Sequence, residues 1–198
     1  MEKLNEGAAQ TLPLAVRILK SGGVAVIPTE TVYGLMTRWD NEDGVRRIYE
    51  LKRRPAAKRL QMLAPSYGAA LHYGVGDSPA LRRLAHAFWP GALTVVAPDA
   101  THTDSIGLRI PDHPFLLRLL EQCGFPLAAT SANLSGEPPA VDCVQAVAGL
   151  NGEPDLAIDA GVITTTGGKA STVVSLLGET PVILREGSIT LSQLAAVL

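Results

Sequence analysis

The chain has 198 residues, of which 46% are hydrophobic and 18% charged, and its formal net charge at pH 7 is −2. This composition excludes a disordered chain, and the length fits one domain, residues 1–198, with a sizeable core. The small net charge excludes a general attraction to nucleic acid or membranes, so any electrostatic function must be local.

The sequence also bears on location and metal binding. No apolar run approaches the roughly 20 residues that a membrane helix needs. The N-terminus carries two early glutamates and no apolar segment, so it does not resemble a secretory signal. The only cysteines, Cys123 and Cys143, form no CxxC pair, and no histidine is spaced with them as in a zinc site. We expect a cytoplasmic protein with both thiols in the core and no protein-bound metal.

Apolar periodicity and turn residues predict the elements of the first half of the chain. In order, they are a helix over 14–19, a strand over 24–28, a helix from Glu42 to about Arg53 that Pro55 stops, a strand over 60–63 and a helix that begins with Ser78 as N-cap and Pro79 at N1.

The second half is predicted to contain strands over 93–98 and 107–111, a helix over 114–124, a strand over 125–133, a helix over 141–150, strands over 156–161, 172–177 and 181–186, and a helix over 190–198. Helices alternate with strands early, and strands cluster late. The predicted fold class is therefore α/β, with a mixed β-sheet and flanking helices.

Basic residues concentrate in the segment 44–60, which holds seven Lys and Arg residues and one acid, Glu50. A solvated helix face is the ordinary explanation of such a run. However, the cluster straddles Pro55, which puts Lys52, Arg54 and Lys58 at a helix end and in the turn beyond it. A phosphate-binding role and a solvated face are about equally supported by this pattern.

Two apolar strands run into polar residues. The stretch "VIPTETVYGL" (26–35) uses two threonines, a glutamate and a tyrosine where a plain turn would use Asn, Asp, Gly or Ser. The stretch "AATSANLSGEPPA" (128–140) is explained by a helix-capping turn or by a ligand site at a strand end. The stretch "TTTGGKAST" (164–172) is not a phosphate loop, because Ile163 and Ala170 occupy positions that require Gly and Ser or Thr.

Seven segments, taken together and in order, resemble the YrdC-like family, in particular its L-threonylcarbamoyladenylate synthases. They are "GGVAVIPTETVYGL", "LKRRPAAK", "FWPGALTVV", "IGLRIPDHP", "PLAATSANLSGEPP", "STVVSL" and "VILREGSI". The resemblance covers nearly the whole chain and implies the short, single-domain type. It implies a twisted sheet around a basic concave cavity, in which L-threonine, bicarbonate and ATP, with Mg²⁺, give threonylcarbamoyl-AMP and pyrophosphate. It also implies a partner, the transferase complex that modifies tRNA.

The resemblance assigns roles residue by residue. The family's K-x-R and S-x-N motifs correspond to the catalytic residues Lys52, Arg54, Ser131 and Asn133. ATP contacts are implied for Arg54, Lys58, Ser105, Ala132 and Arg185. Threonine contacts are implied for Thr31, Arg109, Thr130 and Ser171.

This chain departs from many relatives at two positions. Arg59 follows the basic turn where they have proline, and Leu63 stands where some have a histidine. Two alternatives stay open: an RNA-binding module without catalysis, and a paralogue that has lost activity. The lack of aromatic residues in the basic turn disfavours the first, and the intact S-x-N disfavours the second. Direct binding of tRNA is left open.

Overall fold

The structure, a computed structural model that describes residues 1–198, is built on one ten-stranded mixed sheet. The strands are β1 (Glu2–Asn5), β2 (Ala25–Ile27), β3 (Gly34–Arg38), β4 (Gln61–Leu63), β5 (Leu93–Pro98), β6 (Ser105–Arg109), β7 (Leu127–Ser131), β8 (Leu156–Asp159), β9 (Thr172–Ser175) and β10 (Val182–Arg185). Their order across the sheet is β1-β8-β2-β3-β7-β4-β6-β5-β9-β10. The pairs β1–β8, β2–β8, β4–β6 and β5–β9 are parallel, and the others are antiparallel.

Seven helices pack on this sheet: α1 (Thr11–Lys20), α2 (Glu42–Lys52), α3 (Tyr67–His72), α4 (Pro79–Phe88), α5 (Pro114–Cys123), α6 (Cys143–Ala148) and α7 (Leu191–Ala195). The predicted α/β class with a mixed sheet is confirmed. Both cysteines lie in the core, as predicted. No helix combines the length and the apolar character that crossing a bilayer would require.

The helices cover the two halves of the sheet differently. In the half that contains β1, β8, β2, β3 and β7, α1 and α5 pack on one face and α2 and α6 on the other. In the half that contains β4, β6, β5 and β9, the core joins α4 and α7 to one face only, through residues such as Leu84 and Leu194. The opposite face carries polar side chains, among them Gln61, Thr94 and Arg109. This uncovered face is where a ligand can reach the sheet.

Three elements were not predicted from the sequence. Strand β3 begins at Gly34, near the end of the polar stretch that follows the strand predicted over 24–28, and its first four residues are buried on both faces, so no alternation marks it. Strand β1 is a short exposed edge strand, and α3 has only six residues. Elements this short carry too few residues for a periodic pattern.

The end of α2 directs the basic turn. Arg53 adopts a left-handed conformation (φ 47°) and ends the helix, and the N–H of Arg54 donates to the carbonyl of Tyr49 (2.9 Å). Pro55 then prevents a further helical turn. The helix therefore ends before Pro55, as predicted, and in the turn that follows the N–H of Lys58 donates to the carbonyl of Pro55 (3.0 Å).

Candidate active site

A cavity of about 850 Å³ opens over the uncovered face of the sheet. Strands β4, β5, β6, β7 and β9 contribute to its lining, together with the turn after α2, the loop after β7 and the loops beside β9 and β10. Two glutamates, Glu137 and Glu186, and no aromatic residue line it. The cationic lining residues are Lys52, Arg54, Lys58, Arg59, Arg109, Lys169 and Arg185.

Eleven of the twelve residues singled out from the sequence line this cavity. They are Thr31, Lys52, Arg54, Lys58, Ser105, Arg109, Thr130, Ser131, Asn133, Ser171 and Arg185. The exception is Ala132, which is fully buried and whose backbone N–H donates to the carbonyl of Tyr33 (2.8 Å). That N–H is committed within the protein, so the structure does not support an Ala132 amide contact to phosphate. Leu63, at a departure from the family pattern, is also buried and outside the lining.

Arg109 lies at the end of β6 with only 3% of its surface exposed. Its Nη2 forms an ion pair with Glu30 Oε1 (2.6 Å) and donates to Thr31 Oγ1 (3.1 Å), while Nε donates to the carbonyl of Gly91 (3.2 Å). Nη1 makes no hydrogen bond within the protein. One edge of the guanidinium is therefore fixed, and Nη1 remains able to donate to an anionic ligand.

The hydroxyl of Thr31 has a defined direction. Thr29 Oγ1 donates to the carbonyl of Val32 (2.7 Å), so its only proton is used, and in its 2.8 Å contact with Thr31 it must accept. Thr31 Oγ1 therefore donates to Thr29 and accepts from Arg109. What it can still offer a ligand is an acceptor lone pair, which fits an amine or a hydroxyl on the ligand.

On the other side of the cavity, the hydroxyl of Ser171 also uses its proton within the protein, as that of Thr31 does. Thr94 Oγ1 donates to Gln61 Oε1 (2.8 Å), so Ser171 Oγ donates to Thr94 across 2.9 Å and accepts from Arg185 Nη2 (3.2 Å). The sheet register brings these hydrogen-bonded residues together, because Arg185, Val173 and Thr94 are consecutive Cα partners across β10, β9 and β5. Ser171 therefore also presents an acceptor to a ligand.

Arg185 is anchored to the chain just before β9. Its Nε and Nη2 donate to the carbonyl of Ser171 (3.1 and 2.8 Å). Gly187 allows this contact, because a Cβ at that position would overlap the carbonyl oxygen of Ala170. The guanidinium faces the cavity from the edge strand β10.

Lys52 is buried, with 1% of its surface exposed. Its ammonium donates to the carbonyl oxygens of Ser131 and Asn133, the latter at 2.6 Å, and the N–H of Ser135 donates to the carbonyl of Lys52 (2.9 Å). Asn133 Nδ2 in turn donates to the carbonyls of Leu134 and Glu137. Lys52 and Asn133 thus hold the loop after β7 in shape, and Ser131 is the half-buried member of the S-x-N motif.

The turn after α2 presents cations that are less buried. Arg54 Nε and Nη2 donate to the carbonyls of Lys58 and Arg59 (2.9 and 2.8 Å), which leaves Nη1 without a protein partner. Lys58 is exposed. Arg59 forms an exposed ion pair with Asp104. Arg54 and Lys58 are therefore the groups of this turn best placed to meet an anion.

Burial and mutual repulsion shape the titration of these cations. Burial, with a contribution from nearby Arg54, lowers the pKa of Lys52 to about 8. Burial, followed by repulsion from Arg109 and Arg54, lowers the pKa of Arg185. Cations that repel one another are stabilised by an anion bound among them. The electrostatics of the cavity therefore favour a bound anion.

Three further residues, Glu30, Thr94 and Gln61, orient residues of the lining and were not predicted from the sequence. Glu30 lies inside the quoted "PTET" stretch, so a carboxylate beside a residue predicted to bind threonine was the available signal. Thr94 and Gln61 sit within strands and gave none. No three His, Cys, Asp or Glu side chains form a group that could hold a metal ion.

Comparison with protein families gives one clear match. The model of the family Sua5_yciO_yrdC, described as telomere recombination, matches residues 17–187. A threonylcarbamoyl-AMP synthase of Bacillus subtilis (strain 168) is 38% identical over 194 residues, which cover 93% of this chain and 55% of that protein. The chain thus spans about half the length of this curated relative.

Two solved structures are similar in fold. P. abyssi Sua5 complexed with L-threonine superposes with a TM-score of 0.89 at 32% identity, covering 100% of this chain and 60% of that one. E. coli YciO superposes with a TM-score of 0.83 at 26% identity, covering 98% and 97% of the two chains.

Proposed function

This chain belongs to the Sua5–YciO–YrdC family, and we propose that it joins L-threonine, bicarbonate and ATP into threonylcarbamoyl-AMP and pyrophosphate. In this proposal the protein is a nucleotidyltransferase, and its product passes to a transferase complex that modifies tRNA. The one-domain organisation, the cytoplasmic location and direct binding of tRNA stay predictions.

The observation that carries the proposal is the pairing of two chemically different regions in one cavity. Near β6 lie Arg109 Nη1, a donor suited to a carboxylate, and Thr31, whose hydroxyl can only accept from a ligand. An α-amino acid supplies the matching acceptor and donor on one carbon. Near the turn after α2 lie Arg54 and Lys58, which suit a triphosphate.

The chemistry requires charge neutralisation and orientation more than proton transfer. Both the carbamate formed from the threonine amine and the α-phosphate of ATP are anionic, so they approach each other only among cations. Arg54, Lys58 and Arg185 would hold the phosphates, and Ser131 would direct a phosphate or carbamate oxygen. Lys52 and Asn133 would act by holding the Ser131 loop rather than by touching the reacting atoms.

Magnesium would enter with ATP. The cavity offers two glutamates and no cluster of metal-binding side chains, a donor set that fits an ion held by phosphate oxygens and water. When bound, the ion would neutralise part of the triphosphate charge.

The RNA-binding alternative gains no support from the site. No aromatic side chain lines the cavity, whereas binding of single-stranded RNA relies on bases stacked on aromatic rings. The lost-activity alternative is disfavoured by the intact S-x-N motif, whose Ser131 and Asn133 line the cavity.

The test is pyrophosphate release by the purified chain with ATP, Mg²⁺ and bicarbonate, with and without L-threonine. Serine and valine serve as controls, since they lack the methyl and the hydroxyl group respectively. The proposal expects release that depends on threonine and is lower with both controls. Release that ignores the amino acid, or no release from folded protein, would contradict it.

A further inference from the structure

The ion pair between Glu30 and Arg109 is the most completely buried one in the protein, with side chains 9% and 4% exposed. The other ion pairs have at least one partner whose side chain is 19% exposed or more. Glu30 is not part of the cavity lining, whereas Arg109 is. Glu30 therefore acts on a ligand through Arg109.

Arg109 shares its cavity with Arg54 and Arg185, close enough that both it and Arg54 depress the pKa of Arg185. An arginine without a counter-charge binds phosphate as readily as carboxylate, because its fork fits both. A cavity that must hold a triphosphate and an amino acid side by side thus has to keep phosphate away from the amino-acid end. Geometry alone does not do this, because Nη1 is open to either anion.

We propose that Glu30 is a specificity-determining residue. Its carboxylate neutralises the charge of Arg109, which lowers the attraction of Arg109 to phosphate and reserves it for an amino-acid carboxylate. The Glu30–Arg109 pair has no net charge, so it matches a zwitterion and offers little attraction to a polyanion. The cations without a buried counter-charge, Arg54 and Lys58, attract phosphate instead. This inference rests on the proposed function for the identity of the two ligands.

The contacts of Glu30 allow a substitution that removes its charge and changes little else. Glu30 Oε1 accepts from Arg109, while Oε2 is buried and has no hydrogen-bond partner. In Glu30→Gln the carboxamide oxygen can keep the contact with Arg109, and no donor loses its acceptor. The variant removes the charge and keeps the shape.

The experiment measures how inorganic pyrophosphate and sulfate affect threonine binding, by calorimetric titration and by initial rates. In the wild type, both anions are expected to compete with ATP and to leave the apparent affinity for threonine unchanged. In Glu30→Gln, both should also compete with threonine and weaken its apparent affinity by about tenfold or more. The double variant Glu30→Gln/Arg109→Gln should lose this extra anion binding, and Glu121→Gln, an exposed glutamate outside the cavity, should behave as the wild type.

Competition of sulfate with threonine in the wild type would overturn the proposal without any variant, so it stays testable if Glu30→Gln does not fold. An anion response of Glu30→Gln equal to that of the wild type would also overturn it. Failure of the proposed function gives a different result: no threonine-dependent pyrophosphate release in the wild type, while the sulfate titrations still report whether Glu30 shields Arg109.

Discussion

Replacing Lys52 by methionine tests whether this lysine holds the loop after β7 in shape or binds phosphate. The substitution keeps most of the apolar stem and removes an ammonium that donates to the carbonyls of Ser131 and Asn133. Hydrogen bonds from a charged donor are worth about 1.5–3 kcal/mol each. Part of that loss is offset because a buried ammonium no longer has to be desolvated. We expect the free energy of unfolding to fall by about 2 kcal/mol, which lowers Tm by roughly 4–8 °C for a chain of this size.

The assay is thermal or urea unfolding of Lys52→Met beside a matched control, Lys58→Met. Both lysines line the cavity, Lys52 at the end of α2 and Lys58 in the turn that follows, but Lys58 is exposed, whereas Lys52 is 1% exposed. Lys58→Met should keep the wild-type stability and raise the KM for ATP. Lys52→Met should lose stability and, through the loop that carries Ser131, also lower kcat.

Equal stability of the two variants would refute the reasoning, because it would mean that the buried ammonium contributes nothing to holding the loop after β7. A Lys52→Met protein of reduced stability but unchanged kcat would confirm the predicted effect on stability and contradict the predicted effect on catalysis. In that case Lys52 would stabilise the fold without positioning Ser131.

Three further predictions concern the same cavity. Arg54→Ala should abolish threonine-dependent pyrophosphate release while the circular dichroism spectrum stays that of the wild type; retained activity would remove Arg54 from the triphosphate site. Arg109→Lys keeps a charge beside Glu30 but loses Nη1. Since a lost charge-assisted contact costs roughly 1.5–3 kcal/mol, the KM for threonine should rise about tenfold or more while the KM for ATP stays unchanged. Equal changes in both constants would contradict this prediction. Folding lowers the pKa of Lys52 from 10.5 to about 8. Between pH 8 and 10.5 the unfolded chain therefore holds a proton on this lysine that the folded protein has lost, so the free energy of unfolding increases with pH in this range. Below pH 8 the lysine is protonated in both states and adds nothing to the pH dependence of stability. Urea unfolding of wild type and Lys52→Met across that range checks the sign, and a wild-type slope no steeper than that of the variant would contradict it.

The sequence was most informative about the fold where its strands are long and followed by turns. The strands at 93–98 and 127–131 and the helix that starts at Pro79 were predictable, because apolar runs, an N-cap serine and a proline coincide there. Strand β3 was not, because burial on both faces removes the alternation that marks a strand.

The site was predictable as a set of residues but not as a set of roles. Family motifs named eleven side chains that line one cavity, since motifs record which residues meet a ligand. The contacts behind them join distant parts of the chain: Glu30 meets Arg109 79 residues away. The sequence places Glu30 beside Thr31, but no local pattern shows that its partner is Arg109 or that the side chain of Lys52 points inward.

These long-range contacts also determine when the site can form during folding. The Glu30–Arg109 pair and the contact of Lys52 with Ser131 each close a loop of 79 residues. Closing loops of this length is slow, because chain entropy is lost before the contacts are gained. Helices such as α2 can form early from local contacts, but the strands that bring Glu30 to Arg109 come from opposite halves of the sheet. We therefore expect the ionised groups of the cavity to stay hydrated until the sheet closes around them, and the cavity to be completed late in the folding of the chain.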